Sequence, residues 1–176
     1  TQSANLITTH KEESCLTSLI SASTILLQMN KIEHAKTTLI NAIKIVKDKD
    51  TPFKPCSTEN KNNNNAYLYY LSKLIPEIPS LKSEAGAQIL HLGESHCLTF
   101  TNQRIQSKGK ELTIKPSLVK GAKAFHLGES SKLNPQKISL ETRMQQNLNK
   151  YEYIFLSFGE IDCRADEGIL KHCQKT

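Results

Sequence analysis

Three short apolar runs, each closed by a glycine, constrain this chain more than any other feature. They are residues 87–92 before Gly93, 122–127 before Gly128 and 153–158 before Gly159. A run of this length, bounded by a turn residue, fits a strand buried on both faces. Residues 140–149, between the second and third runs, have helical spacing with Met144 and Leu148 on the inward side. Strands interleaved with longer polar or helical segments predict crossover connections, and hence a parallel sheet of the α/β class. In such sheets the ligand crevice lies just past the carboxyl ends of the strands. The three glycine-bearing motifs are therefore expected along one edge.

Ahead of residue 80 the grammar is different. Leu16, Leu19, Ile20, Ser23, Leu26 and Leu27 recur every three or four residues. After a turn at 29–31, Ile32, Ala35, Leu39, Ala42, Ile43 and Val46 repeat the pattern. Two amphipathic helices follow from that spacing, with small residues at Ala22, Ser23, Ala35 and Ala42 allowing close approach. Pro52 and Pro55 then stop helix, and the asparagine run within 57–65 offers no apolar face, so 51–65 reads as an exposed loop. A third helix is predicted over 66–74, with Tyr67, Tyr70, Leu71 and Leu74 on one side, ended by Pro76 and Pro79. The expected organisation is a small all-α region over 1–80, a linker, and an α/β domain over 86–176.

Composition narrows the function classes. The formal net charge of +6 is spread along both halves, and its densest stretch, residues 108–115, is interrupted by Glu111. This reads as a solvated, mildly basic face rather than a nucleic-acid surface. No apolar run approaches the roughly 20 residues that span a bilayer. The five cysteines are odd in number and form no Cys-x-x-Cys, so reduced thiols and a cytoplasmic location are expected. A zinc site from Cys97, Cys163 and Cys173 would match no common ligand spacing. Neither a metal nor a cofactor is expected.

The chemistry sits in three motifs: Gly93-Glu94-Ser95-His96-Cys97, Gly128-Glu129-Ser130, and Phe158-Gly159-Glu160-Ile161-Asp162-Cys163-Arg164. The pentapeptide His-Leu-Gly-Glu-Ser occurs twice, at 91–95 and 126–130. Ser95 runs into His96 and a potential helix start, whereas Ser130 runs into a proline-containing loop. The first copy is therefore the candidate nucleophile, and the second is retained for Gly128 alone. A serine two residues past a strand can present its hydroxyl to the crevice, and a glycine at the next strand end can expose an N–H without obstruction. Glu160, Asp162, Arg164 and His96 are candidates for holding a substrate hydroxyl or carboxylate. Asp162 and Arg164 read equally well as a structural pair.

Over residues 86–164 these motifs resemble the SGNH (GDSL-like) hydrolases. Gly93-Glu94-Ser95-His96 stands where that family has Gly-Asp-Ser-His, Gly128 matches its second block, and Gly159-Glu160-Ile161-Asp162 its third. The resemblance implies a three-layer, flavodoxin-like parallel sheet, Ser95 as nucleophile, and the N–H groups of Ser95 and Gly128 as oxyanion hole. The chain departs from the pattern at Ile161, where the family has an oxyanion-binding Asn. The family's Asp-x-x-His, which supplies base and acid, is not in the chain, so a domain truncated at its C-terminus is expected. His172 serves as base only if the tail folds back. The front helices are similar to one tetratricopeptide hairpin through Leu19, Ser23, Leu26, Ala35, Leu39 and Ala42; an ordinary helical pair fits as well. The implied function is hydrolysis of a small-molecule or carbohydrate acyl ester, with a protein partner on the helices. The alternative is a non-catalytic helical interaction module joined to an SGNH-like ligand-binding domain.

Overall fold

The computed structural model describes residues 2–47, 59–79, 86–124, 134–164 and 173. The chain is mixed α/β and divides into two compact units, Thr1–Ile78 and Pro79–Thr176.

The first unit holds α1 (Gln2–Gln28), α2 (Ile32–Lys47) and α3 (Glu59–Leu74), followed by a 3₁₀ turn at Ile75–Glu77. The hairpin between α1 and α2 closes where the spacing places it. Asn30 takes the left-handed conformation with φ of 57°. Lys31 N–H donates to Leu26 O and Asn30 N–H to Leu27 O, at 2.8 and 3.0 Å. These are the two bonds of a Schellman motif, and they satisfy carbonyls that the helix end would otherwise leave open. Ile20, Ser23 and Leu27 from α1 and Ala35, Leu39 and Ala42 from α2 are buried.

The asparagine run corrects the expectation of a loop. Residues 51–58 lie outside the described residues, but from Glu59 the chain is helical. Asn64 is buried, and its Nδ2 donates to Thr17 Oγ1 at 2.7 Å. Asn64, Leu68, Leu71 and Ile75 fall on one inward face at four- and three-residue intervals. Tertiary packing thus overrides the weak helix propensity of asparagine, and the side-chain amide finds a partner instead of competing with the backbone.

The second unit is built on β1 (Ala87–Gly93), β2 (Arg104–Ser107), β3 (Lys110–Leu118), α4 (Pro135–Asn147) and β4 (Tyr153–Ser157). The sheet order is β2-β3-β1-β4. β3 and β4 both run parallel to β1, and β2 pairs antiparallel with β3. The first and third apolar runs are therefore β1 and β4. The second is not a strand in its described part: Ala122 is a buried core residue outside the sheet, and 125–127 lie outside the described residues. Its place beside β1 is taken by β3, most of the stretch read as a solvated basic face. Leu112, Ile114, Lys115, Ser117 and Leu118 of that strand are buried.

β2 and β3 form a hairpin over Lys108 and Gly109, whose φ values of 50° and 76° are those of a two-residue type I′ turn. Pro116 is tolerated in β3 for a geometric reason. Ile114 N–H donates to Gln103 O and its C=O accepts from Asn102 N–H, both away from β1. Residue 116 shares that parity and lies past the end of β2, which pairs only to Thr113. α4 opens with Asn134 Oδ1 accepting from Lys137 N–H at 2.9 Å, and Pro135 fills its first turn. It buries Leu140 in a core with Leu90, Leu92, Val119 and Ala122, flanked by Met144, Tyr151, Ile154 and Phe158. Leu148, expected inward, is 56% exposed just past the helix end. Among the described residues, no helix is long and apolar enough to cross a membrane.

Candidate functional site

β1 and β4 end side by side, with Gly93 opposite Ser157. Glu94 N–H donates to Ser157 O at 3.3 Å and Val119 N–H to Gly93 O at 2.8 Å, so three strand ends are tied at one place. Gly93 is required there by space. A Cβ at this position would collide with Ser157 Oγ, lie 2.7 Å from Ser157 O and 3.1 Å from Cys97 Cβ.

Ser95 opens a 3₁₀ helix, Ser95–Phe100, with Glu94 at its cap position. The Glu94 carboxylate does not cap that turn. It is 3% exposed, and its Oε1 accepts from the backbone N–H of Glu160 at 2.9 Å. The loop after β4 is aimed for this bond by Gly159, whose φ of 114° is open only to glycine at little cost. Glu160 then turns its own carboxylate outward. Arg164 Nε donates to Oε1 at 3.0 Å and Nη2 to Oε2 at 2.8 Å, a two-point ion pair, and His96 Nδ1 lies 3.9 Å from Oε2. The Arg164 hydrogen bonds hold the Glu160 carboxyl below the usual carboxylate range against the opposing effect of burial, with the charges of Arg164 and His96 adding to the pull.

Four of the residues singled out from sequence therefore share this pair of loops: Ser95, His96, Glu160 and Arg164. Asp162 belongs to the adjoining 3₁₀ turn Ile161–Cys163, but its side chain lies outside the described residues. So do Gly128 and His172. Cys97 is buried, whereas Cys163 and Cys173 are exposed. Burial pushes the Cys97 thiol up to about 12, which leaves it inert as a nucleophile or ligand.

Two features went unread in the sequence. One is Glu94 itself, whose signal was the Gly-Glu pair that follows each of the three apolar runs. The other is His91, 1% exposed, with Nε2 2.7 Å from Ser157 Oγ across the β1–β4 pair. Its ring lies 4.7 Å from that of Phe155 and 5.3 Å from that of Phe100, centroid to centroid. Desolvation lowers its pKa and favours the neutral imidazole.

Comparison of the chain with protein-family models, characterised proteins and solved structures finds no match. The site is therefore read from its own geometry.

Proposed function

We propose that residues 86–176 form a three-layer, flavodoxin-like domain of SGNH type that hydrolyses esters with Ser95 as nucleophile. The substrate is a small-molecule or carbohydrate acyl ester met in the cytoplasm, and the helical unit serves a protein partner. One observation carries the reading: the hydrogen bond from Glu160 N–H to Glu94 Oε1 draws the loop after β4 against the loop that bears Ser95. The strand order supports it. From β1 the chain passes through β2 and β3 on one side and then to β4 on the other, and crevices open at the carboxyl ends of strands where the order reverses.

In this reading Ser95 Oγ adds to the ester carbonyl carbon while its proton passes to a base. The N–H groups of Ser95 and Gly128 hold the oxyanion. Collapse of the intermediate expels the alcohol and leaves an acyl-serine, which water hydrolyses. Arg164 donates to a substrate carboxylate or hydroxyl, Glu160 and Asp162 accept, and His96 borders the same opening.

Two observations favour a second reading, a domain that binds such a ligand without turnover. In the described α/β unit His91 is committed to Ser157, and His96 turns Nδ1 toward Glu160. Ile161 offers no side-chain donor where the family places Asn. Hydrolysis of chromogenic acyl esters by the full chain and by Ser95→Ala decides between them. Turnover lost in the variant supports the enzyme; binding of the ester by the wild type without turnover supports the second reading.

A further inference from the structure

Beside Ser95, two carboxylates and an imidazole converge, and one of them, the buried carboxylate of Glu94, has no chemical part in the ester-hydrolysis reading. Among the described residues, one ligand atom each from Glu94, His96 and Glu160 lies within 4.8 Å of the other two. A second observation is independent of that distance. Glu94 Oε1 is occupied by the Glu160 N–H, but Oε2 is buried and has no hydrogen-bond partner. A buried carboxylate oxygen without a donor is costly, and a bound cation offsets that cost. The opposite side is open, because the side chains of His96 and Glu160 are 55% and 43% exposed. The group is closed beneath by Glu94 and accessible from solvent, which gives an ion a way in.

We propose that Glu94 Oε2, a ring nitrogen of His96 and a carboxylate oxygen of Glu160 bind one divalent transition-metal ion. One imidazole with two carboxylates suits zinc, cobalt, manganese or iron(II) better than magnesium or calcium, which take oxygen donors. The two carboxylates match the charge of the ion. Arg164 is the opposing group, since its guanidinium already holds both oxygens of Glu160. Binding at Oε2 displaces the Nη2 arm and leaves Nε on Oε1, so the ion is exchangeable rather than permanent. Glu160 N–H on Glu94 Oε1 and Arg164 Nε on Glu160 Oε1 then act as the outer hydrogen bonds that orient the ligands. The proposal does not depend on Ser95 being a nucleophile.

The test is a titration of the metal-free full chain with Co²⁺, followed by visible absorption and calorimetry. One equivalent is expected to bind, with ligand-field bands, no sulfur-to-metal charge-transfer band, and displacement by Zn²⁺. Glu94→Gln and His96→Asn should each weaken binding by about tenfold or more. His96 is a surface residue, so its variant separates lost binding from lost folding. The absence of saturable Co²⁺ binding, full affinity in His96→Asn, or a charge-transfer band that vanishes in Cys163→Ser would overturn the proposal.

Discussion

Glu94 follows Gly93 at the end of β1, Glu160 follows Gly159 in the loop after β4, and the backbone of the second donates to the side chain of the first at 2.9 Å. Through this bond a side chain fixes the distance between two loops that the sheet only brings near. Replacing Glu94 with Ala leaves the Glu160 N–H without its acceptor. The expected cost is about 1–3 kcal/mol, read by urea unfolding of the α/β unit, together with faster hydrogen exchange at the Glu160 amide. Glu94→Gln keeps an acceptor oxygen and should retain that protection. Unchanged exchange in the Ala variant would contradict the role given to the pair.

Gly93 is fixed by its neighbours rather than by its dihedral angles. Gly93→Ala drives Cβ into both the side chain and the carbonyl of Ser157, with an expected loss of about 1–3 kcal/mol. Ser157→Gly should not rescue it, because the carbonyl, at 2.7 Å, remains. Full rescue in the double variant would show that only the hydroxyl was in the way.

His91 gives a pH dependence whose sign follows from burial. Its folded pKa lies below the ordinary value of 6.5, so the folded state binds its proton more weakly than the unfolded chain does. The contribution to stability is complete above pH 6.5 and is lost as pH falls from there through the folded pKa. Urea unfolding at pH 7.5 and pH 5 should show a drop that is smaller in His91→Gln. An equal drop in the variant would assign it to other groups.

How much of this was legible depends on which force decided each element. β1 and β4 are written as apolar runs stopped by glycine, but only β1 buries the second half of its run; β4, expected to be buried on both faces, leaves Phe155 and Leu156 exposed. β3 is masked by its composition: lysines at 110 and 115 and a proline at 116 look like surface until the short partner β2 and the parity of Pro116 are known. The helical hairpin was readable from period alone, and so was the approximate position of α4. The asparagine-rich start of α3 was not, since only the contact of Asn64 with Thr17 makes a polar residue belong inside. At the site, Ser95, His96, Glu160 and Arg164 were identifiable from residue type and position. Glu94 became significant only when its partner, a backbone N–H far along the chain, was in place.

That buried amide makes its own prediction. A double-mutant cycle over Asn64→Ala and Thr17→Val should give a coupling of about 0.5–1.5 kcal/mol, measured on thermal or urea unfolding of the helical unit. Additive effects would mean that the 2.7 Å bond contributes nothing.

Ser95 is proposed as the nucleophile at the mouth between β1 and β4. A fluorophosphonate probe added to the full-length protein, with the adduct located by mass spectrometry, tests it most directly. A single adduct on Ser95 is expected, absent in Ser95→Ala and reduced by prior incubation with an acyl ester. Labelling that persists at another residue in Ser95→Ala, or a folded wild type that takes up no probe, would contradict it.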